Sequence, residues 1–321
     1  MGFDREALRE AVKTHGKVVR VVIAGIKGSS PREVGASMLV WKDEQSGTIG
    51  GGTLEYQAAE AARRQSKPSR LSQHALGPDL GQCCGGAVSL LSEIYDSASL
   101  THIEGTVVAR PVTQECEKDD PLDTQVQPMA VKRVLARSRA QGVAPEPQLI
   151  EGWMIEPIHE PTRNIWIWGA GHVGRSLVDV LSPLPDLAIT WVDTGPERFP
   201  SSIPSGVTAV PAAKPAELVR HAPPEAEHLV LTYSHNLDLE LCNRLLLHDF
   251  RFAGLIGSAT KWARFRSRLA ALGHLPARIG RITCPIGDPD LGKHPQMIAV
   301  GVAAQLLRPA RQNELKKDLS A

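Results

Sequence analysis

The chain has no excess of charge of either sign. Its 321 residues carry 36 Lys and Arg against 35 Asp and Glu, a formal net charge of +1. Such a balance gives no electrostatic footprint for nucleic acid or for an anionic membrane surface, so neither is expected as a partner. Long apolar runs are missing too; none approaches the roughly 18 residues that a membrane span requires. The opening MGFDREALREAVKTHG is charged and lacks an apolar secretion core. Arg5-Glu6 does not supply the Ser or Thr context of a myristoylation signal. Cysteine is scarce. Five residues, an odd number without regular spacing, argue against a disulfide framework and for a reducing compartment. A cytoplasmic protein is expected. No internal repeat is visible.

What is present is ordinary globular composition, 42% hydrophobic and 22% charged, in a length that suggests about two domains. Residues 4–14 are predicted as an amphipathic helix with Leu8 and Val12 on its apolar face. The β-branched run 17–28 and residues 35–43 read as strands, 45–47 as a turn, 53–65 as a helix, and 86–96 and 102–112 as strands. The first domain is therefore mixed α and β over 1–110. Residues 111–160 are polar and carry prolines, and 131–140 reads as a short helix or a strand pair. This stretch is expected as a partly structured linker, because so long a structureless loop is uncommon. From 164 onward strands and helices alternate, predicting a parallel sheet with right-handed crossovers. That gives a Rossmann-like domain over 161–308 and a tail over 309–321.

Gly169-Ala170-Gly171-His172-Val173-Gly174 fits G-x-G-x-x-G between the strand IWIW and a helix, and Asp193 closes the next strand, 24 positions after Gly169. Gly169 makes the turn, Gly171 lets a phosphate approach the backbone, and Gly174 lets helix and strand pack closely. Asp193 is placed to bind a ribose, or else to serve as a cap or turn residue. An oxidoreductase would also need an acid or base, for which His172 and His235 are candidates; a lone histidine is more often a hydrogen-bonded structural residue. Ser234-His235 and Gly257-Ser258 each follow a strand, at the carboxyl edge where ligands of open α/β sheets bind.

Earlier in the chain, Gly50-Gly51-Gly52 precedes a helix and offers a concavity for an anion. Arg32, in Ser29-Ser30-Pro31-Arg32, offers a planar fork for phosphate or carboxylate, or is a surface arginine beside a tight turn. Cys83 and Cys84 stand side by side in GQCCGG. They lack the two-residue gap of zinc and thioredoxin motifs. A thiol of ordinary acidity is only about 3% thiolate at pH 7, so reactivity needs a lowered pKa or a metal. The pair is either an accessible thiol site or buried packing at the start of a strand. Cys284, in TCPIGDPD, sits at another strand end and is expected to face the same cleft; Cys116 and Cys242 read as incidental.

Taken together, GSSPREVGASMLV, GTIGGGTLEY, GQCCGGAVSLL, WGAGHVGR, VDTGPERFP, TYSHNLDLELC, FAGLIGSATKWARFRSRL and CPIGDPDLGKHPQMIAVGVAAQLL run in one order over most of the chain outside 111–160. In these segments the chain resembles the xanthine dehydrogenase accessory proteins of the XdhC/CoxI family. The resemblance implies a cytoplasmic, dimeric chaperone for molybdenum cofactor. It would bind the cofactor, support its sulfuration and deliver it to a xanthine dehydrogenase-type apoenzyme. A cysteine desulfurase would supply the sulfur. The cofactor-site role falls on Cys83, Cys84 and the glycine loop, and further on Arg32, Cys284 and Lys293, with Cys83 a transient molybdenum ligand. The segment Thr53-Leu54-Glu55 stands where the family often reads H-L-E. The alternative is an NAD(P)-dependent oxidoreductase using Asp193 and His235, which leaves the thiol pair unexplained. A nucleotide-binding regulatory domain is a third reading.

Overall fold

The computed structural model describes residues 2–77, 85–112 and 126–308. The chain divides into two compact units, Met1–Glu160 and everything from Pro161 onward.

The first unit begins with helix α1 (Arg5–His15), whose Asp4 side chain caps Ala7 N and whose Leu8 and Val12 are buried. Strand β1 (Val18–Lys27) follows, then β2 (Ser37–Val40), β3 (Gln45–Gly47), helix α2 (Gly52–Arg63), β4 (Ser69–Ala75) and β5 (Ala87–Tyr95). These strands form an antiparallel sheet in the order β3-β2-β1-β5-β4. Residues 45–47, read as a turn, are an edge strand, because Trp41 N bonds Glu44 O and the chain reverses there instead. The strand β4 escaped the sequence reading because SRLSQHA carries little apolar alternation; its pairing with β5 holds it.

Period-two alternation divides β1 between two cores. Val19, Val21 and Ile23 pack with Leu54, Ala58, Ala59 and Ala62 of α2. Val22 and Ala24 pack with Leu91, Val112 and Met154. The stretch 111–160, expected as a partly structured linker, supplies much of that second layer. Strand β6 (Val107–Pro111) leads into this stretch, and within it lie helix α3 (Met129–Gln141), β7 (Gln148–Ile150) and β8 (Trp153–Pro157), with β8 central in a sheet of order β6-β8-β7. Segment 131–140 is helical, closed by a left-handed Gly142. Facing charges join the two sheets. Arg20 bonds Glu156 in bidentate fashion, and Arg110 bridges Glu93 and Glu156. Burial pushes the Glu156 pKa up, but Arg20 and Arg110 outweigh it and hold the group at about 2.

The second unit runs β9 (Arg163–Trp168), α4 (His172–Leu181), β10 (Leu187–Asp193), β11 (Val207–Pro211), β12 (Glu227–Val230), α5 (His235–Leu247), β13 (Phe252–Leu255), α6 (Ala259–Ala271), α7 (Pro276–Ile279), β14 (Ile282–Thr283) and α8 (Pro295–Leu307). Its strands pair in parallel in the order β11-β10-β9-β12-β13-β14. This is the doubly wound arrangement, with the order reversing between β9 and β12. Alternation in β9 again sorts the side chains. Ile165 and Ile167 join Leu177 and Leu181 of α4 and Val302 of α8. Trp166 and Trp168 join Leu241 and Leu245 of α5 and Phe265 and Leu269 of α6. Burial on both faces explains why β9 reads as a continuous apolar run.

Candidate functional site

The carboxyl ends of β9 and β12 flank the topological switch point, where open α/β sheets bind ligands. The glycine loop lies there, between β9 and α4. Gly169 has φ +122°, and a Cβ on it would stand 2.5 Å from Leu231 O. Its N–H donates to Val192 O at 2.8 Å and its carbonyl accepts from Trp191 Nε1 at 3.0 Å. A Cβ on Gly174 would collide with Gly169 O. Gly171 differs: a Cβ there would meet only open space. Two glycines are thus fixed by packing, and the third keeps the loop surface bare beside the first turn of α4.

Asp193 ends β10 and is 3% exposed. Its Oδ2 accepts from Ala170 N at 2.6 Å, and its Oδ1 accepts from Thr194 N at 2.6 Å. The carboxylate therefore braces the loop from inside. Beside it, Arg175 donates to Ala170 O and Arg198 O. The Arg198 guanidinium lies over the exposed ring of Tyr233, 4.8 Å from its centroid.

On the β12 side, Ser234 caps α5 by accepting from Leu237 N at 3.4 Å. Asp238, fully buried, accepts from Thr232 N at 2.9 Å and from Thr232 Oγ1 at 2.8 Å. Its Oδ2 takes the Lys261 ammonium at 2.6 Å. Lys261 Nζ also donates to Ile256 O at 2.9 Å, tying the end of β13 to that of β12. Ser258 caps α6 at Lys261 N. A cleft of 340 Å³ opens between these strand ends, lined among others by Thr232, Tyr233, His235, Gly257, Ser258 and Lys261.

Among the candidates read from sequence, Gly169, Gly171, Gly174, Asp193, Ser234, His235, Gly257 and Ser258 fall on this carboxyl edge. His172 is exposed at the first residue of α4, and His235 at that of α5. Lys293 is exposed in the loop before α8. Cys284, read as facing one cleft with the cysteine pair, is half-buried with Sγ 3.7 Å from Gly257 O. Burial pushes its pKa up to about 11, which Lys261 only partly offsets, so the thiol is protonated at neutral pH. The peptide bond Cys284-Pro285 is cis. Cys242 is buried on α5, its thiol raised by burial.

Sequence reading did not single out Thr232, Asp238 or Lys261. Asp238 and Glu240 both interrupt the apolar pattern of LDLELC, and only the packing of α5 shows which faces inward. The signal available was a carboxylate four residues after the cap Ser234 at a strand end.

In the first unit part of the three-glycine loop is already bonded by the chain's own Glu55. Glu55 Oε2 accepts from Ile49 N at 2.9 Å, Gly51 N at 3.0 Å and Thr48 Oγ1 at 2.5 Å. Burial raises the Glu55 pKa, but these bonds outweigh it and leave it lowered. Gly50, Gly51 and Gly52 all have positive φ, and Gly50 packs on Pro31. Arg32 pairs with Glu33 at 3.3 Å. Gly86, which follows the cysteine pair, packs against Lys27 O and Ser29 O. Gly50 and Gly86 thus both lie against the 27–32 segment. Cys83 and Cys84 lie outside the described residues. Among the described residues no cluster of His, Cys, Asp or Glu is arranged to hold a metal ion, and no helix is long and apolar enough to cross a membrane.

Residues 165–306 match the XdhC Rossmann domain, and residues 11–72 match the XdhC and CoxI family. The chain is 25% identical over 299 residues to the uncharacterized protein YqeB of Escherichia coli K12; that alignment takes in 89% of the chain but only 42% of YqeB. A crystal structure described as a xanthine dehydrogenase from Bacillus halodurans superposes with a TM-score of 0.67 at 23% identity, covering 95% of each chain, and so shares the fold. With one match in each compact unit, the chain belongs to the XdhC and CoxI family.

Proposed function

We propose that this protein binds molybdenum cofactor, supports its sulfuration and passes it to a xanthine dehydrogenase-type apoenzyme. The observation that carries this reading is the joint presence of the XdhC and CoxI segment and the XdhC Rossmann domain in one chain. The glycine loop suits the phosphate of such a cofactor: Gly171 presents bare backbone at the start of a ten-residue helix. Molybdenum and sulfur both favour soft thiolates, which supports Cys83 and Cys84 as the ligating or sulfur-carrying residues. When bound, the cofactor would supply redox chemistry to its client; the chain's own residues hold, shield and release it. The cysteine desulfurase, a homodimeric assembly and a cytoplasmic setting belong to the same proposal.

The oxidoreductase alternative depends on Asp193 as a ribose acceptor. That carboxylate is enclosed and occupied by Ala170 and Thr194, which favours the maturation role.

Anaerobic incubation of the pure protein with molybdenum cofactor, then gel filtration, tests this. Molybdenum and pterin per protomer are measured for the wild type, Cys83→Ala and Cys84→Ala. Near-stoichiometric retention that one variant loses is expected. No retention, with NAD(H) bound instead, overturns the reading.

A further inference from the structure

We propose that the cleft between the ends of β12 and β13 is a subsite for a planar heterocycle bearing a carbonyl oxygen, with Lys261 as the donor to that oxygen. The inference rests on the reading of the switch point as the ligand site.

A lysine ammonium has three N–H donors. Two of the three on Lys261 are used, by Asp238 Oδ2 and Ile256 O. Lys261 lines the 340 Å³ cleft with its side chain only 13% exposed, and its Nζ also lies 5.3 Å from the Phe265 ring centroid. Asp238 fixes the position of this donor and is itself satisfied by Thr232 through N–H and hydroxyl. Asp238 and Thr232 are accordingly positioning residues.

Charge narrows the ligand. Asp238 neutralises Lys261 at close range, so the floor of the cleft carries no net charge to favour a phosphate dianion. What remains is one well-held hydrogen-bond donor, suited to a carbonyl oxygen. Size and surface narrow it further. Ligand pockets run from about 300 to 1,000 Å³, and this cleft is at the small end, enough for one ring system. Leu231, Ile256 and the Tyr233 ring supply apolar wall, while His235 and Ser258 supply polar groups.

The cleft adjoins the glycine loop. Leu231 O and the Thr232 Cα stand against Gly169, and Leu231 and Thr232 also line the cleft. A ligand whose phosphate rests on the loop would place its ring here.

Three probe pairs separate the possible sources of such a ring: neopterin against its 2,4-diamino analogue, NADH against ADP-ribose, and xanthine against 2,6-diaminopurine. Each is titrated by calorimetry into the full chain. In at least one pair the carbonyl-bearing member is expected to bind tighter by at least about tenfold, since a site built around a donor rejects a ligand lacking the acceptor. Lys261→Met should erase that preference. Because this variant leaves Asp238 buried and unpaired, the double variant Lys261→Met/Asp238→Asn is run beside it, with melting curves for both. Equal binding within every pair, no binding in any pair, or a preference that survives in a folded variant overturns the proposal. A protein that retains no molybdenum cofactor yet shows the preference would remove the maturation reading and leave this subsite standing.

Discussion

Asp193 Oδ2 accepts a hydrogen bond from Ala170 N at 2.6 Å, so the carboxylate that ends β10 holds the glycine loop rather than facing out of it. Replacing Asp193 with Asn puts an amide donor against a backbone N–H on one side or the other. Leaving a buried donor unsatisfied costs about 1–3 kcal/mol. Asp193→Asn should therefore lower the unfolding free energy by about that amount, measured in urea. Unchanged stability would mean that the brace is not formed.

The three loop glycines should separate by role. Alanine at Gly174 meets Gly169 O, and alanine at Gly169 meets Leu231 O in a backbone region closed to it. Both variants should melt well below the wild type. Alanine at Gly171 meets open space, so its stability cost should stay within about 1 kcal/mol. Ligand retention should nonetheless fall, because the methyl group occupies the path to the backbone. Gel filtration with bound cofactor, beside a melting curve, checks the split.

Glu55 closes the three-glycine loop ahead of α2 with one carboxylate oxygen that accepts two backbone N–H groups and a hydroxyl. Glu55→Ala leaves those donors without their acceptor and should cost about 1.5–3 kcal/mol, the range for hydrogen bonds to a charged group. Amide hydrogen exchange at Ile49 and Gly51 should accelerate in the variant. Protection equal to the wild type would assign the loop's order to something else.

His228 gives the second unit a pH dependence. Its Nδ1 accepts from Trp168 Nε1 at 3.2 Å, and burial, with His248 adding, lowers its pKa from 6.5 to about 3. The folded state keeps the ring neutral while the unfolded chain protonates below its ordinary value. Stability should thus be full above pH 6.5 and fall as pH drops from 6.5 toward 3, by about 1.4 kcal/mol per pH unit from this group. His228→Gln retains an acceptor but cannot titrate, and should flatten that slope. Denaturant melts at a series of pH values measure it.

Much of the second unit was legible because its signals are local. The apolar run IWIW, the glycine spacing and the polar residues at the strand ends each act within a few residues. The first unit was harder. The strand β4 has little alternation of its own, and residues 111–160 look like a linker until β8 pairs with β6. Nothing local in the sequence shows that the charged residues Glu93, Arg110 and Glu156 there neutralise one another inside.

By itself the sequence determined the class of the fold, the position of the glycine loop and the strand ends that carry polar residues. These follow from periodicity and from backbone conformations that only glycine adopts readily. Tertiary structure alone decided which polar groups are available. It turned Asp193 inward onto Ala170, set Glu55 against the backbone of the three-glycine loop, and drew Asp238 and Lys261, 23 residues apart, into one pair beneath the cleft. The physical reason is that a buried charge must find a partner, and which partner lies within reach is set by the packing of whole helices and strands, not by neighbours in the chain.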